Sequence, residues 1–444
     1  MLRTTDNNGG KEIEAHFLPD FGIIANKRIS NLISDDNPNL LIFPNDLNQN
    51  SDKISEEHIF SLLDSTLTTG NIMGFIGVNN SEISIQSRFA KNNQDYFLHY
   101  MLQKVFSINL FDLKHGINNE SIFDFLLYLF PFYLKKALRQ GLYKEYHRQE
   151  YNDSNVKGTI DFSRHIRKNV PFVGNVAYKV REHSFDNKIT QLIRHTIEFV
   201  KQHKFAHGIL DLDSETQNCV NEILLATPSY NNRDRTIILN KNLKQFSHPY
   251  FFEYRELKKI CMQILTFEGL KYGKEKDKVY GLLFDGAWLW EEYLNTFLIN
   301  SGFNHPKNKN SEGAIYLFNN SKGKRFPDFW KKNFILDAKY KRLADKKVDR
   351  NDMNQIISYM YVKKAEIGGF IVPSDNNEYE AKEIKIGQLN GYAGEVYIWV
   401  LSIPQQTDNF MEFCIRMKKN EIFLTDLIEK QNDKAHTANK VYMP

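Results

Sequence analysis

From Phe326 to Tyr340 the chain carries two short arms with strand-like patterning, Phe326 to Trp330 and Phe334 to Tyr340, separated by lysine and asparagine. Short runs of this kind predict strands, and their closeness predicts an antiparallel hairpin. With Lys332-Asn333 as a two-residue turn, cross-strand pairs sum to one number, so Asp328 falls opposite Asp337. Side chains alternate faces along a strand, so Asp337 and Lys339 share a face and Asp328 joins them. Upstream, Leu282 to Leu294 places apolar residues at helical spacing and predicts an amphipathic helix bearing Glu291 and Glu292. Downstream, Asp349 to Tyr361 reads as a helix with Asp352, Gln355 and Tyr359 on neighbouring turns of one side. Strands follow at Gly369 to Pro373 and Val396 to Ile403.

Earlier in the chain the pattern is coarser. Residues 1–55, rich in Asn, Asp and Ser, read as a polar extension with a short strand or two and a flexible stretch near Asn45 to Asp52. A small α/β stretch spans about Ser55 to Val105. Helices dominate from about Ser121 to Lys204, interrupted by strand-like Gly158 to Phe162 and Asn175 to Val180. The reading is therefore an α/β (α+β) chain in four parts: 1–55, a mixed and helix-rich 56–245, a site-bearing 246–430, and a frayed tail at 431–444.

Composition sets the outer frame. The 444 residues are 41% hydrophobic, enough for folded cores. With 58 basic and 54 acidic residues the net charge is only +4, so no global basic field announces nucleic acid. Three separated cysteines (Cys219, Cys261, Cys414) argue against a disulfide framework and a structural zinc site. The N-terminus has no apolar secretory segment, and Phe125 to Leu134 is too short to span a membrane, so a cytoplasmic protein is expected. No G-x-x-x-x-G-K-[ST] motif is present, so an NTP-driven motor would have to be a separate subunit.

The hairpin carries the candidate chemistry. Two carboxylates a few ångströms apart suit Mg²⁺, with Mn²⁺ as the alternative, because such sites combine one or two protein carboxylates with water and substrate phosphate. A nearby lysine can orient or deprotonate water, or neutralise charge developing on phosphate. The bland reading is a solvated hairpin face with cross-strand ion pairs. Glu383-Ile384-Lys385 and Glu256-Leu257-Lys258 are competing acidic-x-lysine triplets, but neither has a Pro-Asp partner one hairpin arm upstream. Local basic runs bracket the site, and Lys324, Arg325, Lys341 and Arg342, interleaved with Phe326 and Tyr340, are candidate DNA contacts. Lys346-Lys347 extends that set.

The order of elements, with glutamate on a helix, Pro-Asp on one strand, Asp-x-Lys on the next and glutamine on the following helix, resembles the core of the PD-(D/E)xK nucleases. Trp290-Glu291-Glu292-Tyr293, Pro327-Asp328, Leu336-Asp337-Ala338-Lys339-Tyr340-Lys341, and Gln355 with Tyr359 are similar to the McrC family, nuclease subunits of GTP-dependent systems that attack modified DNA. Gly74 to Val78 followed by Ile83-Ser84-Ile85, Gly141 to Tyr146, Val156 to Phe162 and Phe185-Asp186-Asn187 extend that resemblance over about Ile72 to Ile403. It implies a restriction-endonuclease-like C-terminal domain with Asp328, Asp337 and Lys339 as the catalytic trio. It further implies Glu291, favoured over the neighbouring alternative Glu292, as the helix glutamate, completing the metal set, and Gln355 as the accessory polar residue. The partner it implies is an McrB-like AAA+ GTPase (or ATPase), onto which the N-terminal half docks and whose hydrolysis it stimulates. An autonomous DNA nuclease of repair or defence, and a non-catalytic subunit that only activates an NTPase, are the competing expectations.

Overall fold

A computed structural model describes residues 1–441 apart from 34–36, 38–39, 45–53, 80, 92–93, 107–120, 204–207, 212, 245, 273–278, 307–312, 343–347, 377 and 392–393. The Asn45 to Asp52 stretch and Lys346-Lys347 thus lie outside the described residues. The fold is mixed α/β, in two compact units: Met1–Ile117 together with Glu275–Pro444, and Asn118–Lys274.

The first unit is not divided where the sequence suggested. One five-stranded sheet runs in the order Leu2–Thr5, Ser81–Gln86, Ile72–Val78, Val279–Asp285, Leu40–Phe43. Val279–Asp285 pairs antiparallel with Ile72–Val78 and parallel with Leu40–Phe43. Residues 1–55 are therefore no extension. Phe17, Phe21, Ile24 and Ile29 share a core with Ile76, Ile83 and Leu283. Close backbone approach in this sheet requires glycine: a Cβ at Gly74, whose φ is +127°, would lie 2.2 Å from the Leu282 oxygen.

The segment Leu282 to Leu294, read as one helix, is a strand followed by a helix. Val279–Asp285 is the strand and Gly286–Leu298 the helix. Asp285 ends the first and caps the second, its carboxylate accepting from the Trp288 N–H at 2.7 Å. Leu282-Leu283-Phe284 is a short continuous apolar run, which periodicity alone does not distinguish from a helical face.

A second five-stranded sheet carries the hairpin, in the order Phe329–Lys331, Phe334–Ala338, Ile367–Ser374, Glu395–Ser402, Ala381–Gln388. The two inner pairings are parallel and the two outer ones antiparallel. The helix Arg350–Lys363 links the parallel strands Phe334–Ala338 and Ile367–Ser374. It buries Ile356, Tyr359 and Met360 against Ile335, Phe370, Val372 and Ile398. Gly368 admits this helix, since a Cβ there would lie 2.3 Å from the Met360 sulfur. The last described element is the helix Phe410–Val441, which includes the segment from Gln431 to Val441.

The second unit contains the helices Ser121–Leu138, Lys188–Gln202, Ser214–Ala226 and Glu253–Tyr272 and a three-stranded sheet of Glu145–Asp153, Val176–Ser184 and Thr159–Ile160. Asn187 and Thr190 form a reciprocal capping box that starts Lys188–Gln202. Glu253–Tyr272 belongs here and not with the hairpin, because Leu257, Ile260 and Ile264 are buried among these helices. Among the described residues no helix is long and apolar enough to cross a membrane.

Candidate active site

The hairpin has the expected register. Phe329 pairs with Leu336, Trp330 with Ile335 and Lys331 with Phe334, leaving Lys332-Asn333 as the turn. Neither turn residue takes a positive φ, so the connection is not type I′. Asp328 sits at the end of its arm, and its Oδ2 accepts from the Ala338 N–H at 2.7 Å. That bond ties the first carboxylate to the backbone between Asp337 and Lys339.

Asp337 is 1% exposed, inside the Phe334–Ala338 strand. Its Oδ2 lies 2.7 Å from Lys339 Nζ. Lys339 Nζ also donates to Gln355 Oε1 at 3.0 Å and stands 3.5 Å from Asp352 Oδ1. Burial alone would pull this ammonium's pKa down, but the charge and hydrogen bond of Asp337, then the charges of Asp328 and Asp352, outweigh it and hold it above the ordinary lysine range. Lys339 is a fixed cation here.

Gln355 is oriented by a relay. Its Nε2 donates to Tyr359 Oη at 2.7 Å, and that hydroxyl donates to the Phe326 oxygen at 3.0 Å. Burial, then the Asp337 charge, raises the Tyr359 pKa, so the proton stays on oxygen to be donated. With Nε2 committed to Tyr359, the amide oxygen is turned to Lys339. Helical spacing on Arg350–Lys363 places Asp352, Gln355 and Tyr359 together, as the sequence predicted.

Asp352 is a third carboxylate that the sequence reading left outside the site. It is 7% exposed, and its Oδ2 accepts from Lys341 Nζ at 3.0 Å. His305 was missed entirely. Its Nδ1 is 2.8 Å from the Asp328 main-chain oxygen, its ring stacks on Phe329 at 4.7 Å, and its Nε2 is 3.7 Å from Glu292 Oε1. The weak sequence signal was its place just before Pro306, at the start of a loop. Glu292 thus faces His305. Glu291 is half-buried next to Trp290, whose Nε1 donates to the Ile371 oxygen at 3.3 Å. Ile371 is the parallel partner of Ala338, so the glutamate helix is pinned beside the Asp-x-Lys segment.

Of the basic candidates, Lys324 and Arg325 are exposed on a two-residue strand paired with Ile315–Tyr316. Lys324 lies 4.8 Å over the Phe326 ring. Lys341 and Arg342 are held by carboxylates instead, Lys341 by Asp352 and Arg342 by Asp375 at 3.0 Å. The competing triplets have structural partners. Glu383 accepts from Trp399 and Gln431, Lys385 pairs with Glu395, and Lys258 donates to the Lys244 oxygen.

The donor set is hard oxygen, which fits Mg²⁺ or Mn²⁺ and not a thiophilic metal. Among the described residues no group of three or more His, Cys, Asp or Glu side chains is placed to hold a metal ion.

Residues 67–373 match the family described as McrBC 5-methylcytosine restriction system component. The chain belongs to that family. The matched segment of this McrBC-family chain contains Glu291, Asp328, Asp337, Lys339 and Gln355. Two solved structures are similar to it. One is the refined half-complex from the tetradecameric assembly of Thermococcus gammatolerans McrB AAA+ hexamers with bound McrC, at 16% identity over 84% of this chain and 89% of that chain, with a TM-score of 0.45. The other is the cryo-EM structure of the Thermococcus gammatolerans McrBC complex, at 14% identity over 67% of this chain and 87% of that one, with a TM-score of 0.34. No curated protein matches the chain.

Proposed function

We propose that this McrBC-family chain is the McrC-like endonuclease subunit of an NTP-dependent restriction system, cutting DNA with the help of a divalent metal. The observation that carries the reading is the convergence of Asp328, Asp337, Lys339 and Gln355 at the end of one hairpin, with the lysine wedged among carboxylates. A merely solvated hairpin face would leave Asp337 exposed, and it is almost fully buried. Asp328 and Asp337 would hold Mg²⁺ (or Mn²⁺) with water and substrate phosphate, and the resemblance assigns Glu291 as the helix glutamate of the set, Glu292 being directed to His305. When bound, the metal supplies Lewis-acid polarisation of the phosphate and a more acidic water.

The chain's own residues do the rest. Lys339, held as a cation, orients the attacking water and offsets charge developing on the phosphate. Gln355, fixed by Tyr359, keeps the Lys339 ammonium aimed at the carboxylates. Lys324 and Arg325 lie exposed where they can follow a DNA backbone. Lys341 and Arg342 can join them by exchanging Asp352 and Asp375 for phosphate.

The partner in this reading is an McrB-like AAA+ GTPase (or ATPase) that this chain stimulates. The test is cleavage of methylated and unmethylated plasmid by wild type and Asp337→Ala, with Mg²⁺, with and without the partner NTPase and GTP or ATP. Cutting that needs partner and nucleotide and disappears in the variant is expected. Cutting by the wild type alone would favour an autonomous nuclease. Cutting that persists in Asp337→Ala would remove the site assignment.

A further inference from the structure

We propose that Arg88 is a positioning residue for this active site, and that the N-terminal strand acts through it, by way of Asp6, on the segment that follows Lys339. The proposal rests on the nuclease reading for its catalytic consequence and on geometry for its coupling.

Arg88 lies far in sequence from the hairpin, just after the Ser81–Gln86 strand. Its side chain is 11% exposed and reaches three separate segments. Nε donates to Asp6 Oδ2 at 2.8 Å, Nη2 donates to the same carboxylate and to Asn71 Oδ1 at 2.7 Å, and Nη1 donates to the Tyr340 oxygen at 3.2 Å. The guanidinium also lies 4.6 Å over the Tyr340 ring. In return, Arg342 Nη2 donates to the Arg88 oxygen at 2.6 Å. Arg88 therefore grips both sides of Lys341, two residues from the Lys339 ammonium.

Asp6 and Asn71 are built into this clamp. Asp6 is fully buried, and its Oδ1 accepts from the Arg88 main-chain N–H. The Asn71 oxygen accepts from the Gly286 N–H at 2.8 Å, at the first turn of the helix that carries Glu291. A Cβ at Gly286 would meet that oxygen at 2.8 Å and the Tyr340 ring at 3.0 Å, so helix start, Asn71 and Tyr340 are closely packed. One arginine thus sets the start of the glutamate helix against the end of the Asp-x-Lys strand. Asp6, which fixes the arginine, lies before residue 67, where the family match begins. A planar guanidinium spans these acceptors in a fixed fork, which a lysine ammonium does not.

Arg88→Lys keeps a cation for Asp6 and loses the fork. Tyr254→Phe, which removes a buried hydrogen bond to the Gly141 oxygen within the second unit, serves as the control for general loosening. Hydrogen exchange of the full chain and single-turnover plasmid cleavage in the assembly with partner and nucleotide are measured for each. In Arg88→Lys, faster exchange over residues 339–342, cleavage slowed about tenfold or more and a higher half-saturating Mg²⁺ concentration are expected at unchanged DNA affinity, with no such change in exchange, rate or Mg²⁺ dependence in Tyr254→Phe. Unchanged exchange over 339–342, or a loss of activity in both variants that follows thermal stability alone with Mg²⁺ dependence intact, would overturn the proposal. If the wild type cuts no DNA, the nuclease reading fails, and the exchange comparison still decides whether Arg88 orders the segment.

Discussion

His305 Nδ1 stands 2.8 Å from the main-chain oxygen of Asp328. A carbonyl only accepts, so the Nδ1 of this histidine carries a proton and its Nε2 is turned to Glu292. The carboxylate of Asp328 is thereby braced on both flanks, by the Ala338 N–H at its side chain and by His305 at its backbone. Removing the imidazole should loosen the arm proposed to bind metal without touching its carboxylate.

His305→Ala is expected to cost about 1–3 kcal/mol of stability, from a lost hydrogen bond and a lost ring stack. Plasmid cleavage should fall more than its thermal melting shift accounts for. Parallel melting and single-turnover assays check this.

Lys339→Met leaves buried carboxylates without their cation and should destabilise the chain by about 3 kcal/mol at neutral pH. The folded-state pKa of Lys339 is raised, so its stabilising contribution is fully present below the ordinary lysine value and is lost only as pH climbs through the folded one. The stability gap between wild type and variant in metal-free buffer should therefore stay flat up to about pH 9. Chemical denaturation across that range tests it.

Gln355→Leu removes the acceptor of Lys339 and the donor to Tyr359 in one step. Cleavage should fall about 10–100-fold with DNA affinity retained. A gel-shift assay beside a cleavage time course separates the two effects.

Chelation by EDTA should abolish cleavage, with Mg²⁺ or Mn²⁺ restoring it, a loss of about a thousandfold or more. Asp328→Asn and Asp337→Asn should resist that restoration. Rates measured across a metal titration check both.

Gly74→Val forces a Cβ to within 2.2 Å of the Leu282 oxygen at a positive φ. The joint between Ile72–Val78 and Val279–Asp285 should open at a cost above about 3 kcal/mol. A cooperative loss of structure in both segments by hydrogen exchange is the expected result.

Local rules determined the hairpin. Period-two alternation and a two-residue turn are short-range properties, so the Asp328–Asp337 register was legible, as was the 3.6-residue spacing that unites Asp352, Gln355 and Tyr359. The helix at Leu282 was half misread because a buried strand and a buried helical face carry the same apolar signal. His305, Arg88 and Asp6 were invisible for another reason: their roles depend on contacts across 23, 252 and 82 residues of sequence. Residues 1–55 read as a polar extension because Asn, Asp and Ser are interspersed among their apolar positions, and only pairing with Ser81–Gln86 and Val279–Asp285 turns them into part of a sheet. The sequence by itself determined a set of candidate groups for the chemistry, because residue type and short spacing carry that information. The tertiary structure alone decided what holds those groups in place, because backbone pairing and buried hydrogen bonds between distant segments leave no periodic trace along the chain.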